Sequence, residues 1–143
     1  MNSLLRAPWR ELTDAALLAH FRGDRGVRFE PLIDADECHP DRLAGVIAGR
    51  FEFNGEVHAL PDPIDWLANP SRDVEWHILL HKFYYAVGLA QQWQRDEDAR
   101  ALQRWTQLID GWIAQTPPGF IAADVTGRRV QNWIYSLHAI FPA

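Results

Sequence analysis

Through most of the second half of the chain, apolar residues recur at intervals of three and four. In DVEWHILLHKFYYAVGLAQQWQ, the positions Trp76, Leu79, Leu80, Phe83, Val87, Ala90 and Trp93 share one face of a single predicted α-helix. Asn69-Pro70 makes a turn ahead of it, and Ser71 or Asp73 can cap it. DEDARALQRWTQLIDGWIAQ repeats the pattern, with Asp96 as N-cap and Leu102, Trp105, Ile109, Trp112 and Ile113 as the buried face. Thr116-Pro117-Pro118-Gly119 ends that helix, because proline can neither donate to the ladder nor continue it. A last helix over about 126–140 carries Val130, Trp133, Leu137 and, just beyond it, Phe141. Only a few residues near Arg95 separate the first two helices, so they pair as an antiparallel hairpin, and the third opens a second one.

The first half has a different rhythm. TDAALLAHFRG reads as a short amphipathic helix ended by Gly23, and HPDRLAGVIAGR as another with Pro40 in its first turn. RFEFNGEVHAL alternates apolar and polar residues around Asn54-Gly55, which predicts a small β-hairpin. PDPIDWLANP then crosses to the helices as an extended, proline-punctuated segment. The reading is one domain over residues 1–143: N-terminal helices in 1–49, hairpin and extended segment in 50–70, and helical hairpins in 71–143.

Length and composition fit that picture, since 143 residues with 48% hydrophobic and 23% charged positions suffice for one folded domain with a real core. A formal charge of -5 with scattered arginines argues against nucleic acid as a partner, which needs a concentrated basic face. Cys38 is the single cysteine and allows no intramolecular disulfide. The opening residues contain acids and a proline where a secretion signal needs an apolar core, no stretch is long enough to span a membrane, and the compartment stays open. Seven tryptophans are a surplus that suits either helix-helix packing or stacking on sugar rings.

The ordered blocks FEFNGEVHALPDPIDWLANP, EWHILLHKFYYAVGLA, LIDGWIAQTPPG and GRRVQNW resemble the N-terminal domain of the heparinase II/III family of polysaccharide lyases, which includes alginate lyases. The resemblance covers residues 50 to 141 and implies an all-α fold, the opening part of an incomplete α/α toroid of antiparallel helical hairpins with a small β-hairpin. It also implies a C-terminal β-sandwich domain as partner and an acidic, uronic-acid-containing polysaccharide as substrate, cleaved by β-elimination without metal or cofactor. In that family pattern an Asn beyond the R-x-x-N-W helix holds the uronate carboxylate. Asn132 belongs to the helix motif itself, so this chain alone is expected to lack the full catalytic set.

Several residues are expected on the substrate-facing wall. Arg129, four residues before Trp133 on the same helix face, can pack on that ring and cap a carbonyl, or can offer its fork to a carboxylate or sulfate. His81 and Tyr85 fall near the expected inner wall, Asn132 on the motif helix, and Trp66 in irregular chain, either as a core plug or against a sugar. His77 and His81 have the spacing of a two-His zinc helix, yet the glutamate and third ligand such a site needs are missing. Cys38 beside His39 reads as a structural thiol. The alternative to a lyase domain is a helical protein-interaction module without catalysis. An apolar flank around Ile134, Leu137 and Phe141 is expected to promote self-association.

Overall fold

The computed structural model describes residues 11–13, 15, 16, 19 and 40–141. Most of the helix expected over 13–23, and Cys38 with His39, lie outside the described residues. The rest is mostly helical, with one small antiparallel sheet among the described residues: α1 (Pro40–Ile47), β1 (Arg50–Phe53), β2 (Glu56–Ala59), α2 (Val74–Lys82), α3 (Tyr84–Asp96), α4 (Ala99–Gln115) and α5 (Ala123–Ile140).

The hairpin forms where expected. Asn54 and Gly55 both take positive φ, 53° and 78°, as a tight two-residue turn requires, and Phe51 pairs with His58 across the strands. Alternation sends Phe51 into the core, where its ring meets Tyr85 edge-on at 5.2 Å. The other end is pinned to α2. Trp76 Nε1 donates to the Glu56 carbonyl at 3.0 Å, and Ser71 Oγ donates to the Glu56 carboxylate at 2.7 Å. Asp73 caps α2 by accepting from the Glu75 N–H, while Ser71 Oγ accepts from the Asp73 N–H. The segment between sheet and α2 plugs the core with Ile64 and Trp66.

The long helix expected over 73–94 is two helices. Phe83 sits between them in the left-handed region at φ 60°, a conformation uncommon for a bulky side chain. Its reward is position: the ring is fully buried, stacked on Trp66 at 5.3 Å and edge-on to Trp133 at 5.5 Å.

Two residues, Glu97 and Asp98, join α3 to α4. Glu97 closes α3 in the left-handed conformation with its N–H on the Trp93 carbonyl, and Asp98 caps α4. Asp96, expected as that cap, is instead the last residue of α3, because the turn tightens after it. The inner face of α4 is Ala101, Arg104, Leu108 and Ile109, whereas Ile113 is 43% exposed and Leu102, Trp105 and Trp112 are half-buried. The packed face therefore centres on a position, Arg104, that a hydropathy reading scores as polar.

α5 lies against α3 and α2 and begins at Ala123, three residues before the expected start. It too faces inward with polar groups. Val125, Arg129, Asn132, Ser136 and Ala139 are buried, whereas Val130, read as an apolar packing position, is exposed. Ile134 and Phe141 are exposed as well, with Leu137 half-buried between them.

Candidate functional site

Breaking a helix at Phe83 frees the last carbonyls of α2, which must find donors once buried. Three side chains supply them. Tyr85 Oη donates to the Leu80 carbonyl at 2.9 Å, Arg129 Nη1 to that of His81 at 3.3 Å, and Asn132 Nδ2 to that of Lys82 at 2.8 Å. Two of the three donors come from a single turn of α5, almost fifty residues downstream. The crowding of Arg129, Asn132 and Trp133 follows from this: one turn caps the broken helix and packs against Phe83 at once.

Arg129 is 4% exposed, and its guanidinium carbon lies over Trp112, 3.9 Å from the ring centroid, with the Trp133 centroid at 5.8 Å. Nη2 also donates to Thr126 Oγ1 at 3.2 Å. No carboxylate pairs with it among the described residues, and desolvation lowers its pKa. A buried cation without a counter-ion is unusual, because burial favours the pairing of charges.

Trp112 also connects to the histidines. Its Nε1 donates to His81 Nδ1 at 2.9 Å, and His81 Nε2 lies 2.9 Å from His77 Nε2. An indole nitrogen can only donate, so neutral His81 keeps its proton on Nε2 and donates it to His77. Burial lowers the pKa of both rings, that of His81 to about 3, with His77 and Arg129 adding repulsion. A metal bridging the two Nε2 atoms would force His81 to carry its proton on Nδ1, against the Trp112 donor. No group of three or more possible metal-binding side chains occurs among the described residues.

Beside Arg129 a cavity of about 540 Å³ opens between the end of α4 and the start of α5. Trp112, Thr116, Phe120, Ile121, Thr126 and Arg129 line it. Thr116 Oγ1 is buried there without a hydrogen-bond partner. Phe120 in turn covers the histidines, its ring 5.3 Å from that of His81.

The structure thus brings Arg129 to a cavity and His81 directly behind its wall. Tyr85, Asn132 and Trp66 are enclosed in the core instead: the first two spend their donors on backbone carbonyls, and Trp66 stacks on Phe83. Of the adjacent tyrosines, Tyr84 is the partly open one, with Arg128 5.8 Å over its ring. Nothing in the sequence pattern singles out Thr116, Phe120 or Thr126, and helical spacing gives Trp112 only a packing position. The Pro-Pro turn that brings Phe120 over the cavity carries, in sequence, only the signal of a helix stop.

The family model of the heparinase II/III N-terminus matches residues 9–135. No curated protein and no solved structure matches the chain.

Proposed function

This chain belongs to the heparinase II/III N-terminus family, and we propose that it forms part of the substrate-cleft wall of a polysaccharide lyase acting on uronic-acid-containing chains. The cleavage we assign is β-elimination, and the helical hairpins are read as part of an α/α toroid. The observation that carries this reading is the unpaired, buried Arg129 at the edge of an aromatic-walled cavity. An aromatic face such as that of the part-exposed Phe120 suits the C–H side of a pyranose ring, and an arginine fork suits its carboxylate.

Removing the proton next to a uronate carboxylate builds enolate charge, so the carboxylate has to be neutralised as the base acts. Arg129 has donors beyond the two spent on His81 and Thr126 and can take that share. The proton transfers we assign to other parts of the parent enzyme. Tyr85 is enclosed, and the His77–His81 pair, held neutral, spends its facing nitrogens on each other.

The test is a titration of this chain with a uronate trisaccharide, followed by the Arg129 Nε–H and Trp112 Nε1–H resonances. Saturable shifts are expected with the uronate at these two probes. Arg129→Lys, which keeps the charge and loses the fork, should weaken binding by about 1–2 kcal/mol. Equal response of both probes to the uronate and to its neutral hexose counterpart would overturn the reading. That result would favour the interaction-module alternative, to which the exposed Val130 and Ile134 on α5 lend support.

A further inference from the structure

A second cavity, of about 550 Å³, runs along a different face of α4 and is lined by Asp62, Trp66, Arg104, Gln107, Asp110 and Gln115 among others. Its size falls within the range of small-molecule pockets, about 300–1,000 Å³. Arg104, Gln107, Leu108, Gly111 and Gln115 recur at three and four, so one stripe of the helix builds the wall.

Arg104 is 4% exposed. Its Nε donates to the Val46 carbonyl at 3.0 Å, and its Nη1 to both Asp62 oxygens at 2.8 Å. The remaining terminal nitrogen, Nη2, is buried with no acceptor among the described residues. Gly111 keeps space beside the Trp66 indole, since a Cβ there would come within 3.3 Å of Nε1. Gln115 donates from Nε2 to the Ile64 carbonyl at 2.8 Å and accepts at Oε1 from the Trp66 N–H at 3.4 Å, which leaves it one amide hydrogen, and Gln107 is exposed.

We propose that this cavity binds a neutral, polyhydroxylated ligand, a sugar unit bearing no charge. Arg104 and Asp62 cancel each other, and Asp110 leaves a net negative lining that disfavours an anion. A cation such as an ammonium only donates, so it cannot serve the orphan donor Arg104 Nη2. What remains is a mixed set of donors and acceptors on planar side chains, and a hydroxyl, which both donates and accepts, satisfies both kinds. The assignment does not depend on the reading of Arg129.

Nitrogen-resolved NMR of the whole chain, titrated in turn with cellotriose, a glucuronate trisaccharide and trilysine, tests it. Cellotriose should shift the side-chain amides of Gln107 and Gln115 and the Arg104 Nε–H saturably, with the other two probes weaker at these positions. Gln107→Ala and Asp110→Ala change exposed side chains, so both should melt with the native protein while each weakens cellotriose binding about tenfold, near 1.4 kcal/mol. Absence of saturable shifts at these side chains, a preference there for glucuronate or trilysine, or unchanged affinity in both variants overturns the proposal. Arg129 and Trp112 report separately on the first cavity, so the two readings fail independently.

Discussion

Trp112 has one polar atom, a donor, and that atom fixes the protonation of two histidines. Because His81 Nδ1 must accept from it, the imidazole pair stays neutral, and no carboxylate among the described residues bonds either ring to stabilise a charge. The consequence is a pH dependence of an unusual sign for a histidine that has found partners. The unfolded chain titrates His81 near 6.5, whereas the folded chain holds it at about 3, so below 6.5 the unfolded state binds the extra proton. Stability is therefore complete above 6.5, falls as pH drops below it, and stops falling from this source near 3. Glu56 and Asp98, whose pKa values are also lowered by their hydrogen bonds, add losses only below the ordinary carboxylate range, at 4.5 and 3.8. Urea unfolding at intervals between pH 7 and 5 should show a decline of about 1–2 kcal/mol. The same series on His81→Gln should be shallower, keeping only the share of His77, whose pKa burial also lowers; an equal slope in the variant would place the proton uptake elsewhere. Little of this was legible beforehand. His77 and His81 stood out by spacing, but their tautomers are set by an indole thirty-one residues away from His81.

At the scale of elements, the break at Phe83 is where sequence and structure part. Trp76, Leu80, Phe83, Val87 and Ala90 keep helical spacing straight across it, and neither glycine nor proline marks it. What makes the break affordable lies outside the segment: Asn132 and Arg129 take the freed carbonyls, and the aromatic cluster holds the Phe83 ring. The hairpin at Asn54-Gly55, the Pro-Pro stop after α4 and the short turn between α3 and α4 depend on local chemistry and were legible for that reason. The polar inner faces of α4 and α5 were not, since Arg104, Arg129, Asn132 and Ser136 count as outward residues until their partners are known. Asn132→Ala should destabilise the chain by about 1–3 kcal/mol, the cost of a buried carbonyl left without its donor. Asn132→Asp should cost at least as much, because at neutral pH it offers only acceptors to the Lys82 carbonyl and buries a charge. Thermal melts of the two variants decide the point: an aspartate as stable as wild type would mean that Lys82 is not capped this way in solution.

For the molecule as a whole, charge and site pull in opposite directions. The chain carries a formal net charge of -5, yet under the proposed function its candidate cleft would offer a single buried arginine to an acidic saccharide. A protein that captures polyanions through a broad basic face loses affinity steeply with salt, because each neutralised charge releases counterions. In the proposed site the long-range field would repel such a ligand, and only the last contact would attract it. Salt screens the first effect over a Debye length of roughly 10 Å at 0.1 M, whereas the buried contact is screened much less. Association of a uronate trisaccharide should therefore become faster as ionic strength rises from about 10 to 100 mM, with the affinity constant or modestly higher. Stopped-flow tryptophan fluorescence, with Trp112 beneath Arg129 as the reporter, measures the rate directly. A steep loss of affinity over the same range would point to several exposed arginines gripping the chain, and would move the binding surface away from the Arg129 cavity.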